Sequence, residues 1–475
     1  MSHTPLPQPL LLGTRTFTPQ DQADFAQLSL DWNPMHVDAV AARRLLSGRQ
    51  VVHGIHTLLQ AIGLWQAPTG QGALKVHCNF AQPVNVGDRV VFSQFDDGDG
   101  RSRITASVEG LACTELTLER LTEPLPAAPA PNALPLRRLQ HLSAPLDETP
   151  GSQAGTAFEL VSPPPALAAR FPQAALLLGA QGLAAVAQLS CFVGMVCPGL
   201  HSVFSSTQFS VTDNPGAPLR FEVRKYDPRF RLFIVAFDGP LRGELRAFLR
   251  PPPQPQASAR EIAAQLHGDE FKGRHSLVIG GSRGLGETTA KILAGGGGDV
   301  TISYAAGRDD AQAVAADINA QGRGHCEAVQ LDLQGDYRKA VDTSRIDAVY
   351  FFSTPRIYSK RSALFERRAF DEFVDFYLQR FHELCLWLDS AERPIRVYLP
   401  STVFITERPK GMTEYAMAKA AAEVLADDLN RSLNNVRIVH TRLPRLATDQ
   451  TASILKVEVA SNVDAMLAVA RRMHE

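Results

Sequence analysis

The sequence has no charge excess: 48 Lys and Arg stand against 49 Asp and Glu, a formal net charge of -1. No global basic field therefore recommends a nucleic-acid or anionic-membrane partner. Metal-ligand spacing is also missing. The six cysteines, Cys78, Cys113, Cys191, Cys197, Cys326 and Cys385, fall without any CxxC or Cys/His arrangement, so they read as reduced thiols of a cytoplasmic protein, with no metal expected. Long apolar runs are scarce. The longest, residues 174–187, is interrupted by Gln181 and stays short of the roughly 18 residues a membrane span needs, so a buried helix and no membrane partner are expected. The opening MSHTPLPQPLLLGTRTF has a short PLLL run with no basic stretch before it, which does not fit a secretory signal.

A chain of 475 residues with 45% apolar composition is long enough for several cores, and length alone suggests roughly three domains. Proline punctuates it. TEPLPAAPAPNALPL, residues 122–136, and PPPQPQASAR, residues 251–260, cannot supply continuous helices or central strands and read as linkers. The expected plan is therefore a first domain over 1–121, a linker over 122–137, a second domain over 138–250, a linker over 251–271 and a third domain over 272–475.

The first domain carries the sharpest chemistry. Asp31 and His36 stand five residues apart around Asn33-Pro34, and His53-Gly54-Ile55-His56 follows. Pro34 fixes its own φ and pushes Asn33 away from helix, which places the carboxylate and the imidazole on a constrained turn. Two such groups converging on one carbon–carbon bond can remove a C2 proton and protonate a departing C3 hydroxyl, or do the reverse with water. Ile55, Leu58, Leu59 and Ile62 keep helical spacing, so a helix is expected to start near Gly54. Its first N–H groups lack partners at the positive end of the dipole, a seat for a thioester oxygen gaining charge. From Leu74 to Leu121 period-two segments split by Gly-Asp turns predict antiparallel strands around that helix.

At Leu30-Asp31-Trp32-Asn33-Pro34-Met35-His36 the chain resembles the MaoC-like, (R)-specific enoyl-thioester hydratases. Their signature runs Gly-Asp-x-Asn-Pro-(Leu)-His, with a later His-Gly opening the central hotdog helix; only the glycine is lost here, replaced by Leu30. The resemblance implies that Asp31 and His36 are the catalytic pair and that Gly54 contributes the N–H polarising the thioester. Residues 138–250 repeat the plan without any Asp-x-Asn-Pro-x-His. They read as a second, non-catalytic hotdog sharing one sheet with the first, completing the acyl tunnel. His201 is read there as structural. The family's eukaryotic two-hotdog hydratases also keep one catalytic half, although there it is the C-terminal one.

Past the second linker the pattern changes class. HSLVIGGSRGLGETTAKILAGGGGDVTISYAAG gives strand, glycine-rich turn, helix and strand, the opening of a dinucleotide domain. Gly280, Gly284 and Gly286 keep the x, x+4, x+6 spacing that lets backbone approach a pyrophosphate at a helix N-terminus. Asp332 follows the next strand. Downstream, Tyr415 and Lys419 lie four apart on an expected helix, so the ammonium can lower the phenol's pKa, and Ser401 stands 14 residues earlier. Together these residues resemble a 3-oxoacyl-thioester reductase of the short-chain dehydrogenase/reductase family over 272–475. The resemblance implies Ser401, Tyr415 and Lys419 as catalytic residues, and Gly280, Ser282, Arg283, Gly284, Leu285, Gly286, Asp332 and Lys419 as cofactor-binding. Ser303-Tyr304-Ala305 offers no carboxylate for ribose hydroxyls, whereas Arg283 and Arg308 suit a 2′-phosphate, so NADPH is expected. Three positions depart from the family pattern. Phe352-Ser353-Thr354 replaces Asn-Ala-Gly, Tyr377 falls near the relay asparagine, and the Ser-to-Tyr spacing is one longer than common, so that Thr402 competes with Ser401.

The expected fold is an α+β double hotdog followed by an α/β Rossmann domain with a doubly wound parallel sheet. The expected function is a fused NADPH-dependent ketoreductase and (R)-3-hydroxyacyl-thioester dehydratase in fatty-acid, polyketide or polyene synthesis. Its substrate would be an acyl thioester on acyl carrier protein or CoA, and a homo-oligomer is expected by family analogy. Two alternatives stand beside it: catabolic hydration and oxidation of CoA esters, and a dehydratase with a non-catalytic nucleotide-binding scaffold. Arg43, Arg44 and Arg49 near the hydratase motif are read as a solvated face.

Overall fold

The computed structural model of the chain describes residues 9–45, 48–66, 72–96, 100–121, 133–357, 364–451 and 459–475. Most of the first expected linker lies outside the described residues. The chain divides into two compact units, Met1–Pro252 and Pro253–Glu475.

In the first unit Thr18 caps helix α1 (Pro19–Ser29) through a reciprocal box with Asp21. The chain leaves α1 through Leu30 in the left-handed region, φ 66°. Asn33 is extended, and Pro34 opens a one-turn helix, Pro34–Val37, that carries His36. The expected turn is thus a helical turn capped by Asn33. Helix α2 (Gly54–Leu64) begins at Gly54 itself. Its Ile55, Leu58, Leu59 and Ile62 are wholly buried, each adding about 1.5–3 kcal/mol by removal from water.

Strands β1 (Leu10–Thr16), β2 (Leu74–Phe80), β3 (Arg89–Asp96), β4 (Arg101–Val108) and β5 (Leu111–Arg120) wrap α2. Then come β6 (Leu136–Leu139), β7 (Ala157–Leu160), helix α3 (Pro172–Cys191) continued by a π-helical turn, Phe192–Val196, and strands β8 (Ser202–Val211), β9 (Arg220–Asp227), β10 (Leu232–Asp238) and β11 (Leu241–Leu249). The eleven strands form one sheet in the order β1-β3-β4-β5-β2-β8-β11-β10-β9-β7-β6. Its centre is the antiparallel β2–β8 pair, with Val76 opposite Phe209 and Cys78 opposite Thr207. About that seam the order repeats: β2, β5, β4, β3, β1 on one side answer β8, β11, β10, β9, β7 on the other. One continuous core joins both halves. The segment Pro172–Val196 is long and apolar enough by composition to cross a membrane, but most of it is buried inside the unit as a core helix. Strands β1, β6 and β7 are additional to the sequence expectation. All six cysteines are free thiols.

In the second unit six parallel strands, β12 (His275–Ile279), β13 (Asp299–Tyr304), β14 (His325–Gln330), β15 (Ala348–Phe351), β16 (Ile395–Thr402) and β17 (Val436–Leu443), stand in the order β14-β13-β12-β15-β16-β17. That is the doubly wound arrangement, with its crevice where the order reverses, between β12 and β15. The linker expected over 251–271 turns helical from Ser258, which caps helix α4 (Ala259–Ala263), and Gln254 and Gln256 before it already bond to the unit through Asp449 and Ala447. Ile262, Leu266 and Phe271 are buried in the unit's core. Burial of these three residues outweighs the local breakers before them. Helices α5 (Gly284–Gly295), α6 (Arg308–Asn319), α7 (Arg367–Val374), α8 (Phe381–Asp389), α9 (Thr413–Ser432) and α10 (Asn462–His474) cover the sheet. A second π-helical stretch, Asp375–Arg380, joins α7 to α8.

Candidate active sites

Asp31, His36 and His53 each bring a ligand-type atom within 4.8 Å of the others. Asp31 is 2% exposed and His36 8%. The Nδ1–H of His36 donates to the Val51 carbonyl at 2.6 Å; since a carbonyl only accepts, neutral His36 carries its lone pair on Nε2. Its ring stacks on His53 at 3.9 Å. In His53, Nε2 lies 3.1 Å from the Asp31 carbonyl oxygen and Nδ1 2.9 Å from Gln22 Oε1; both oxygens accept, so the neutral ring donates to one of them. The Asp31 carboxyl and the Nε2 lone pair of His36 thus converge closely enough to act on one substrate as acid and base.

The repeat half completes this site. Ser190 at the end of α3 donates its hydroxyl to Asp31 Oδ2 at 2.7 Å. The π-helical turn after it presents Gly194 so closely that a Cβ there would lie 2.2 Å from Asp31 Oδ1. The Asn33 amide donates to the Gly194 and Gly199 carbonyls at 2.8 and 3.2 Å, which fastens the motif to the other half. Burial pushes Asp31's pKa up, against the pull of His36 and the bonds from Ser190 and Asn33. Burial pushes that of His36 down, against the pull of Asp31. Arg250, at the end of β11, also disfavours the imidazolium. Gly54 stands first in α2, its Cα packed against the Phe80 ring, 3.0 Å from where a Cβ would fall. His201 is partly buried and 3.9 Å from Asp147, on the Arg250 side of the site. Ser190, Gly194 and Gln22 carried no sequence signal, because their roles exist only once α1, α2 and α3 are packed.

In the second unit the glycine turn leaves β12 as expected. Gly280 has φ 81° and Gly284 φ 59°, and a Cβ on Gly286 would fall 2.3 Å from the Gly280 carbonyl oxygen, so the N-terminus of α5 seats directly on the turn. Such a cradle fits a pyrophosphate. Ser282 is buried, and the Gly280 N–H donates to Ser303 Oγ at 3.2 Å. Leu285 packs on the core. Arg283 lies 3.6 Å from the buried Asp449 carboxylate, and Asp332 Oδ1 accepts from the Gln334 N–H at 3.0 Å.

Tyr415, Lys419 and Glu423 lie at successive four-residue steps along α9, on one face. Lys419 is 4% exposed and donates to the Pro400 carbonyl at 2.7 Å. Burial brings its pKa down to about 7, with Glu423 opposing. Ser401, expected to face the substrate oxygen with Tyr415, donates its hydroxyl to Glu423 at 2.5 Å, and Arg442 grips the same carboxylate at 2.9 and 2.7 Å. The next residue, Thr402, accepts from the Phe404 N–H at 3.2 Å. Alternation along β16 sends these two hydroxyls to opposite faces, so one of them alone can serve the site. Tyr377 is buried beside Tyr415, rings 6.1 Å apart.

The family described as MaoC like domain matches residues 4–112; the first unit thus opens with a MaoC-like domain. The mitochondrial 3-hydroxyacyl-[acyl-carrier-protein] dehydratase of Arabidopsis thaliana is 31% identical over 84 residues, 17% of this chain and 50% of that protein. An uncharacterized oxidoreductase of Methylorubrum extorquens is 30% identical over 117 residues, 24% of this chain and 45% of that protein. The chain spans about half the length of these curated relatives. Among solved structures, a short chain dehydrogenase from Burkholderia cenocepacia in complex with NADP is 24% identical, with TM-score 0.36, over 43% of this chain and 91% of that one. The landomycin C-6 ketoreductase LanV with bound NADP and rabelomycin is 20% identical, with TM-score 0.38, over 43% of this chain and 90% of that one.

Proposed function

We propose that the chain is a bifunctional enzyme, an NADPH-dependent 3-oxoacyl-thioester reductase fused to an (R)-3-hydroxyacyl-thioester dehydratase, working in fatty-acid, polyketide or polyene synthesis. The observation that carries the dehydratase is the buried convergence of Asp31 and His36 beside the N-terminus of α2. Their pKa values are pushed toward a protonated carboxyl and a neutral imidazole, the states an acid and a base need. In dehydration His36 Nε2 takes the C2 proton, the carboxyl of Asp31 gives a proton to the leaving C3 hydroxyl, and water departs. The imidazolium then returns its proton to the carboxylate. Gly54 N–H holds the thioester oxygen while charge gathers on it. Residues 138–250 act in this reading as a second hotdog, non-catalytic in itself, that supplies Ser190 to Asp31 and closes the acyl tunnel.

In the reductase the glycine turn with Ser282, Leu285 and Asp332 would hold NADPH, which supplies the hydride. Arg283 and Arg308 would meet the 2′-phosphate, with Asp449 as the competing anion on Arg283. Tyr415 delivers a proton to the carbonyl oxygen, Lys419 keeps the phenol acidic, and the free hydroxyl of the Ser401–Thr402 pair orients the substrate. Cytoplasmic residence fits six free thiols, and a homo-oligomer and a carrier-protein or CoA thioester complete the proposal.

The test is mass spectrometry of products formed from a 3-oxoacyl thioester and NADPH, offered on CoA and on acyl carrier protein. An enoyl product is expected. Accumulated hydroxyacyl thioester would remove the dehydratase. No reduction at all would favour the scaffold reading, for which the engagement of Ser401 by Glu423 is the specific support.

A further inference from the structure

Lys419 is a cation in an apolar place. Of its three N–H groups one reaches the Pro400 carbonyl. The nearest carboxylate on its own helix, Glu423, is occupied by Arg442 from β17 and by the Ser401 hydroxyl from β16. What lies beneath the ammonium is a ring: Nζ stands 3.7 Å from the Tyr377 centroid and 5.9 Å from that of Tyr415. A cation over a ring face at that distance is attracted by the ring quadrupole, most strongly when desolvated.

The placement of Tyr377 is built. Its hydroxyl pairs with Thr354, after β15, and its ring stacks parallel on Phe373 at 5.9 Å. Tyr377 sits inside the π-helical stretch between α7 and α8, a widened turn of the kind that recurs at functional positions. The flanking charges of that stretch, Asp375 and Arg380, pair with each other at 3.3 Å and leave the ring as what this element offers Lys419.

We propose that Tyr377 is a positioning residue of the reductase site: its ring face, fixed by Thr354 and the π-helical turn, seats the Lys419 ammonium, keeps it charged and aims it along α9 beside Tyr415. The proposal rests on reading Tyr415 and Lys419 as the proton-delivering pair. It assigns the tyrosine that stands where a relay asparagine was expected a different physical task, cation seating in place of hydrogen bonding.

Full-length protein carrying Tyr377, Tyr377→Phe, pentafluorophenylalanine at 377, or Tyr377→Leu decides it. The pKa of Lys419 is read by NMR of the isotope-labelled lysine side chain without cofactor, and the pH profile of NADPH-dependent reduction is read in parallel. Phe keeps the ring face and should leave the lysine titration near that of the parent. The fluorinated ring has the same shape with the quadrupole reversed, and Leu has none. Both should move the titration, and the alkaline limb of reduction, down by about one pH unit or more. Should Leu fail to fold, the fluorinated and plain rings make the same comparison. Equal lysine titrations in those two would overturn the proposal. A lowered titration in a protein whose parent reduces nothing would uphold the seat and remove the reductase reading instead.

Discussion

The two acid–base centres hold buried charge in different ways. In the first unit Asp31 and His36 are opposite in kind and adjacent in space, so each relieves part of the desolvation the other suffers. A hydroxyl from the facing half, Ser190, takes up one carboxylate oxygen. In the second unit a carbonyl and a ring face receive Lys419 among the described residues, while Glu423 is engaged by Arg442 and Ser401. Each site also leans on a π-helical turn, Phe192–Val196 behind Asp31 and Asp375–Arg380 beneath Lys419. Loss of one member of a buried pair leaves the other uncompensated, the costlier kind of loss, whereas loss of a ring or carbonyl partner removes a weaker contact.

The largest effects should come from the reacting groups. Asp31→Asn should lower enoyl-thioester hydration by about 10²–10⁴-fold and leave NADPH oxidation with a 3-oxoacyl thioester unchanged; Tyr415→Phe should do the reverse. Steady-state rates for both reactions on both variants check this. A single substitution that abolished both activities would break the picture of two separately wired centres.

Ser190→Ala sharpens it. The bond to a buried carboxylate contributes about 1.5–3 kcal/mol, so hydration should fall roughly tenfold or more. Loss of the bond further raises a pKa that burial already raises, so the alkaline limb of the pH profile, where the Asp31 carboxyl ionises, should move upward. An unchanged limb would mean that Ser190 only fills space.

Acid should separate the units next. His36, His53 and His56 have pKa values lowered by burial, that of His56 to about 3. Unfolded, they bind protons below the ordinary value of 6.5 that the folded state refuses, so stability is full above that pH and falls as pH drops toward the folded values. Each such histidine costs up to about 1.4 kcal/mol per pH unit. Asp31, whose pKa is raised, works in the opposite sense and offsets part of this. The second unit has one comparable group among its described residues, His474, lowered to about 4. Calorimetry between pH 7 and pH 5 should show the melting assigned to residues 1–252 fall faster, and His56→Leu should flatten that fall.

What the sequence allowed follows the range of the interactions. Local signals sufficed for Pro34 and for the start of α2 at Gly54, since each depends on residues within a turn. The glycine spacing at 280, 284 and 286 is likewise local. The Ser190–Asp31 bond spans 159 residues and had no local trace. Ser401 against Thr402 was a question of strand phase, which needs the position of Glu423 on α9. A linker over the whole of 251–271 is not what forms, because proline marks where regular structure stops but says nothing of Ile262, Leu266 and Phe271 resuming the core. Strand β1 has no local signal, because LLLGTRT gains its partner only from β3.

The smallest expected effect tests the one lost signature residue. Leu30 holds φ 66° at the end of α1, a conformation that costs a residue with a Cβ roughly 1–2 kcal/mol and glycine nothing. Its N–H closes α1 on the Ala26 carbonyl at 2.8 Å, and its own carbonyl accepts from Cys191 Sγ at 3.4 Å, so the left-handed turn is what delivers Asp31 to α3. Leu30→Gly removes the strain but adds about 0.5–1 kcal/mol of chain entropy and loses partial side-chain burial. The net change should stay within about 1 kcal/mol, a few degrees in melting temperature for a unit of this size, with hydration within a factor of two or so of the parent. A large loss of hydration with unchanged stability would show that the leucine side chain shapes the acyl tunnel, and the paired centre would then depend on a packing contact as Lys419 does on its ring.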